Sequence, residues 1–167
     1  MAEDERSLAS QWVMTPADAE IYRKHAGDLV RFASGLVGPS GAEDIVANAV
    51  LRAVSSAQWA AVSNQRAYLY RSVLNEATSQ HRSTARRLNR EIKAHQHDTA
   101  PDLDGTSVDL DVLVALRRLS ERQRAVIHLT YWEDLPVSDI ASLLDLSART
   151  VERELASARK RLEALLS

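Results

Sequence analysis

The chain of 167 residues contains no cysteine. Disulfides, thiolate metal sites and thiol redox switches are therefore excluded at once. Aromatic residues are scarce and a single one is Phe, so the core must come mainly from Ala, Leu and Val, a composition that favours helix packing. No apolar run approaches the roughly eighteen residues that a membrane span requires, and the N-terminus lacks a signal-peptide pattern. The expectation is a soluble, cytoplasmic protein with no membrane partner. Strand patterning and internal repeats are both missing, which leaves an all-α fold. An excess of positive charge is missing too, since the net charge is −2.

A slightly acidic balance ordinarily argues against nucleic acid, so its distribution matters more than its sum. Asp98 to Asp111 holds five acids and no base, which concentrates negative charge in one stretch. Between Arg66 and Lys93, by contrast, seven basic residues stand against Glu76 and Glu91. That segment suits a phosphate-facing surface inside an acidic protein.

What is present is most specific in residues 119–163. Ser120 followed by Gln123 forms a capping box, which opens a helix at about Glu121. Ala125, Val126, Leu129 and Trp132 recur at three- and four-residue spacing and mark its apolar face, and the pattern breaks near Trp132. A second helix starts at Pro136 or Val137, with Asp139 in its first turn and Ile140, Ala141, Leu143 and Leu144 inward. Asp145 stands where the turn needs positive φ, a position that Asp tolerates. Ser147 caps a third helix from Ala148, and Leu146 can staple onto Val151.

Two helices joined by so short a turn read as a helix-turn-helix, whose second helix fits the major groove. That helix turns Val151, Leu155, Ala158 and Leu162 inward. Arg149, Thr150, Glu152, Arg153, Ala156, Ser157 and Lys160 are its candidate DNA contacts. Read without a partner, the same pattern is a trihelical core with a solvated charged face.

Upstream, residues 1–14 mix charge with few apolar side chains and read as a mobile tail. Thr15 and Pro16 open a helix that runs to about Val37, and Gly38-Pro39-Ser40-Gly41 breaks it. A helix from Ala42 to about Ser56 turns Ile45, Val46, Ala49 and Val50 inward, and Asp44, Asn48 and Arg52 outward. A loop containing Trp59 leads to a further helix, about 64–88, with Leu69, Val73 and Ala77 on its apolar side. The stretch 91–111 is rich in Asp, Thr, Ser and Pro and cannot build a core, so it reads as a flexible acidic linker. Two small helical domains result, 15–90 and 112–167. They either tumble separately or pack into a closed form.

The order GAEDIVANAVLRAV, RAYLYRSVLNEA with a basic tail, an acidic linker, and LSERQRAVIHLTYWEDLPVSDIASLLDLSARTVERELASARKRL resembles an extracytoplasmic-function (ECF) sigma factor of the sigma-70 family. The resemblance implies sigma domain two followed by helix-turn-helix sigma domain four. It also implies an alternative sigma factor that binds RNA polymerase core and directs promoter-specific initiation. Asp44, Asn48 and Arg52 would meet the clamp of the polymerase's largest subunit.

Arg66, Tyr68, Tyr70, Arg71, Asn75, Arg82, Arg86 and Arg87 fall where the family meets the minus-ten element. An aromatic ring can stack on an unpaired base there, an amide can read a base edge, and arginines can hold phosphates. Taken singly, each tyrosine suits core packing equally well. The seven residues of the last helix would read the minus-thirty-five element. Polymerase core and promoter DNA are the implied partners, and an anti-sigma factor is a further partner the resemblance allows.

The sequence departs from the family's pattern at several positions. Tyr68 stands where Trp is usual, Glu152 and Glu154 where basic residues are common, and Asp145 where Gly is usual. The alternative reading is a helix-turn-helix regulator that binds duplex DNA without core polymerase. No cofactor, metal or catalytic centre is expected. The histidines His81, His95 and His97 lack carboxylates at ligand spacing on a helix.

Overall fold

The computed structural model describes residues 14–92 and 110–167. The expectations for the tail up to residue 13 and for linker residues 93–109 lie outside the described residues. Helix α1 spans Pro16–Val37. Thr15 Oγ1 accepts from the Asp18 amide at 3.1 Å while Asp18 Oδ2 accepts from the Thr15 amide at 3.2 Å, and Pro16 occupies the first turn. Both cap signals of the sequence therefore act as expected. The chain breaks at a single residue, Gly38, whose φ of +90° suits a residue without a Cβ.

Helix α2, Pro39–Ser55, starts three residues before the expected Ala42. Only Gly38 is needed for the break, because Pro39 fits the first helical position, where no amide donor is required. Its buried side is Ile45, Val46, Ala49, Val50 and Ala53, as the periodicity indicates. The Trp59 loop is a 3-10 turn over Trp59–Ala61. Trp59 is buried and donates from Nε1 to Asp18 Oδ1 at 2.7 Å, which ties this turn to the start of α1. Hydrogen bonds from the Thr15 hydroxyl and then from Trp59 hold the Asp18 carboxyl below its ordinary pKa.

Helix α3, Gln65–Ile92, runs four residues beyond the expected Leu88, and Asn64 Oδ1 accepts from the Ala67 amide at its start. The second half begins with a short helix, α4, Leu110–Arg117, in a stretch the sequence pattern had left partly as linker. Helix α5 is Glu121–Tyr131, with the reciprocal Ser120–Gln123 box in place. Helices α6, Val137–Leu144, and α7, Ala148–Leu166, complete the chain. No strand occurs among the described residues, in agreement with the all-α expectation.

Helices α1, α2 and α3 pack on one another, and so do α5, α6 and α7, with α4 against α7. The two halves also meet directly, α1 against α5 and α3 against both α5 and α6. Their buried side chains form one continuous cluster from Leu29 to Ala158. Of the two arrangements the sequence left open, the structure shows the halves packed together, yet the outward residues of α2 and α7 stay exposed.

Candidate nucleic-acid interface

The turn before α7 is made by Asp145, whose φ of 55° and ψ of 49° are left-handed. A Cβ close to the following carbonyl normally disfavours this conformation, and Asp tolerates it better than most residues. The Leu146 amide reaches back to the Ala141 carbonyl at 2.9 Å, and Ser147 Oγ accepts from the Thr150 amide at 3.1 Å. Leu146 packs on the core, as a staple requires. α7 is thereby fixed on Val151, Leu155 and Ala158, which are buried, while Arg149, Glu152, Arg153, Ala156, Ser157 and Lys160 are exposed. Thr150 is half-buried and its hydroxyl lies 2.8 Å from that of Ser147, so it belongs to the cap as much as to the open face.

Two contacts from α5 hold this helix sideways. Gln123 Nε2 donates to Ser157 Oγ at 3.1 Å, so the hydroxyl expected to face DNA already carries an internal bond. Arg159 Nε donates to the Tyr131 hydroxyl at 2.8 Å and its guanidinium lies over the Tyr131 ring. Arg153, itself exposed, contacts the half-buried Glu154 at 3.7 Å, a loose pair of small energetic weight that leaves the guanidinium able to exchange onto a base.

The second candidate face lies on α3. Arg66 stands over the Tyr70 ring at 5.1 Å and Arg71 over Tyr68 at 5.9 Å. Tyr68 is half-buried, edge-to-face with Trp59 at 5.8 Å. Asn75, Arg82, Arg86 and Arg87 are exposed along the same helix. Tyr70 is not: it is 0% exposed, packed on Phe32 with ring centroids 5.0 Å apart. Burial pushes its phenol pKa up, and its hydroxyl has no hydrogen-bond partner among the described residues.

A third face lies on α2. Asp44, Asn48 and Arg52 are exposed as expected, and Arg52 reaches across to Glu76 of α3 at 3.3 Å. Between them Leu51 is 53% exposed. The sequence reading passed over it, although an apolar residue at an outward-facing position is itself a sign of an interaction surface. Sequence reasoning also placed Trp132 inward, whereas it is 64% exposed.

Comparison with known proteins assigns these faces to recognised units. The model for sigma-70 region 2 matches residues 21–87 and the model for sigma-70 region 4 matches residues 109–162. An RNA polymerase sigma-E factor of Streptomyces antibioticus is 33% identical over 155 residues, covering 86% of this chain and 83% of that protein. The chain belongs to the sigma-70 family. It is an ECF sigma factor, and as such it binds RNA polymerase core and directs promoter-specific transcription initiation. The sigma-E factor of Streptomyces coelicolor is 32% identical, over 86% of this chain and 82% of its own length. A solved sigma factor, RpoE of Bartonella quintana in complex with the anti-sigma factor NepR, superposes with a TM-score of 0.67 at 26% identity, over 91% of this chain and 98% of that one. The α7 face thus lies in region 4, and the α2 and α3 faces lie in region 2.

Among the described residues no helix is long and apolar enough to cross a membrane, and no cluster of three metal-ligating side chains occurs. His81 lies 3.3 Å from Glu121, while His95 and His97 are outside the described residues.

Proposed function

We propose that this sigma factor divides its work among the three faces. Arg149, Thr150, Glu152, Arg153, Ala156, Ser157 and Lys160 of α7 meet the minus-thirty-five element as duplex. The observation that carries this reading is the open, partly basic face of α7, held out by the left-handed Asp145 turn and the Ser147 cap. Arg can bond guanine bidentately through O6 and N7, and Glu152 can accept from a cytosine amine. Lys160, further along the helix, faces phosphate.

On α3, Tyr68, Tyr70 and Asn75 meet the separated minus-ten strand, and Arg66, Arg71, Arg82, Arg86 and Arg87 hold its backbone. On α2, Asp44, Asn48 and Arg52 meet the polymerase clamp, and the exposed Leu51 supports the same face. The working units are residues 15–90 and 112–167, with 1–14 as a tail and 91–111 as the connection between them. The chain acts in the cytoplasm and performs no chemical step of its own. An anti-sigma factor is a further partner, by likeness to the Bartonella complex.

The test is a core-polymerase pull-down followed by run-off transcription on genomic fragments. Asp44→Arg combined with Leu51→Ser leaves the Arg52–Glu76 pair intact. This variant is expected to lose core association while circular dichroism stays unchanged. Undiminished association would remove the α2 face from the reading.

A further inference from the structure

Gln123 stands in the first turn of α5, 6% exposed, with its side-chain amide shared between two helices. Its Oε1 accepts from the Ser120 amide at 3.2 Å, which closes the α5 cap. A backbone N–H can only donate, so this bond fixes which end of the side-chain amide is oxygen. The other end is therefore Nε2, which likewise can only donate, and it reaches Ser157 Oγ of α7 at 3.1 Å. Ser157 must accept this bond.

That polarity decides what the hydroxyl has left to offer. In a helix, Ser and Thr hydroxyls often give their hydrogen to the carbonyl four residues back. Ser34, Ser55, Ser72, Thr78 and Thr130 do so here, at 2.6 to 2.8 Å. Ser157 is instead turned toward Gln123, and among the described residues its hydrogen has no acceptor although the residue is exposed. Position adds a second argument. Ser157 lies past the N-terminal turns of α7 that reach base edges, four residues after Arg153 and three before Lys160 on the same open face.

We propose that Gln123 is a positioning residue for promoter recognition: by donating to Ser157 it presets that hydroxyl as a donor to a phosphate oxygen of the minus-thirty-five duplex. A phosphate offers only acceptors, so the preset polarity matches it, and such contacts fix the register of a protein on DNA. The proposal rests on the reading of α7 as the duplex-facing helix. It adds an uncharged phosphate contact beside the charged one of Lys160, aligned in advance by the cap of a different helix.

Gln123→Glu reverses the polarity at nearly constant shape. One carboxylate oxygen still accepts from the Ser120 amide, as Glu does in a capping box. The other accepts where Nε2 donated, so Ser157 turns its hydrogen inward and leaves lone pairs toward the phosphate. Duplex binding by the holoenzyme, reconstituted from core polymerase and the full chain, is measured for Gln123→Glu, Ser157→Ala and the double variant. Each single variant is expected to bind about tenfold more weakly, as for one lost hydrogen bond to a charged group. The double variant is expected to bind no more weakly than Ser157→Ala. In Ser157→Ala the salt slope and the selected motif should be unchanged, because neither a charge nor a base contact is removed. If circular dichroism shows that Gln123→Glu unfolds, Gln123→Met keeps the volume without a hydrogen to donate, and its smaller loss should likewise vanish once Ser157→Ala is present.

An equal loss from the Gln123 substitution with and without Ser157→Ala overturns the proposal, since the effect then bypasses the hydroxyl. An altered motif in Ser157→Ala overturns it by moving the acceptor to a base. Undiminished binding in Ser157→Ala overturns it as well, and Lys160→Ala then separates the two failures. Weakened binding in Lys160→Ala keeps the duplex-facing reading of α7 and discards the Ser157 contact, whereas unchanged binding discards the reading itself.

Discussion

The two helices proposed to face the promoter are prepared in opposite ways. The reading face of α7 is finished as it stands: its turn, cap and side contacts lie within region 4, and its arginines face solvent. The corresponding face of α3 has Tyr70 buried beneath Phe32 of α1, within its own half. Duplex recognition needs only a rigid helix of the right shape, whereas strand opening needs groups that become available when bases do. One face is preformed, and on the proposed reading the other needs Tyr70 to leave its packing on Phe32.

Substitutions at Tyr70 strike that contrast hardest. Tyr70→Ala is expected to cost about 3 to 5 kcal/mol of folding stability, as for other fully buried aromatics. Tyr70→Phe should be close to neutral, because the hydroxyl it removes has no partner. Urea denaturation of both variants measures the difference, and a large loss in Tyr70→Phe would mean that the hydroxyl is bonded.

On the preformed side, Arg153→Ala should leave stability within about 0.5 kcal/mol, as is usual for exposed positions. It should nevertheless relax preference at one or two positions of the minus-thirty-five element, by about 1 to 3 kcal/mol per lost bidentate contact. Lys160→Ala should weaken all sequences alike and reduce the salt slope. Binding-site selection at two salt concentrations separates these outcomes, and an unchanged motif in Arg153→Ala would reduce that side chain to a solvated charge.

Asp145→Gly relieves a left-handed backbone and should stabilise region 4 by up to about 1 kcal/mol, seen as a raised denaturation midpoint with DNA preference unchanged. A lowered midpoint would show that the Asp side chain supports the turn in its own right.

The smallest effect concerns pH. Burial holds the His128 imidazole below its ordinary value of 6.5, and the attraction of Glu133 opposes that shift only in part. Arg31 faces the ring from α1, paired with Asp28, and the buried phenol of Tyr70 faces the same region from α3. The folded form therefore binds fewer protons than the unfolded one. Its stability is whole above pH 6.5 and declines as pH falls below that value. The urea midpoint should drop on acidification toward about pH 5.5, and His128→Phe should flatten the profile. A profile that stays steep in that variant would assign the titration to another group.

Much of this was legible in the sequence because it is local. Thr15-Pro16, Ser120-Gln123 and Ser147 act within three residues of themselves, so cap chemistry located three helix starts. The helix-turn-helix was legible for the same reason. Fates decided by distant segments were not. Periodicity placed Trp132 inward and the structure leaves it exposed, while Tyr70, for which core packing and strand contact were both open, is buried beneath Phe32 of α1. Likewise α4 hid at the end of an acid-rich stretch. Its helix packs on α7.

The far end of α3 has one more consequence. His81 to Arg90 are ten successive exposed residues, so this stretch of helix has almost no core beneath it. Helices of about 12 to 15 residues or fewer are marginal in water when they stand alone, and like charges four apart, as at Arg82, Arg86 and Arg90, weaken them further. These backbone amides should exchange hydrogen far faster than those around Val73, and slow when a polyanion lies along them. Winding and charge neutralisation then become a single event, and the length of ordered helix beyond the core becomes a readout of how much nucleic acid backbone the protein holds.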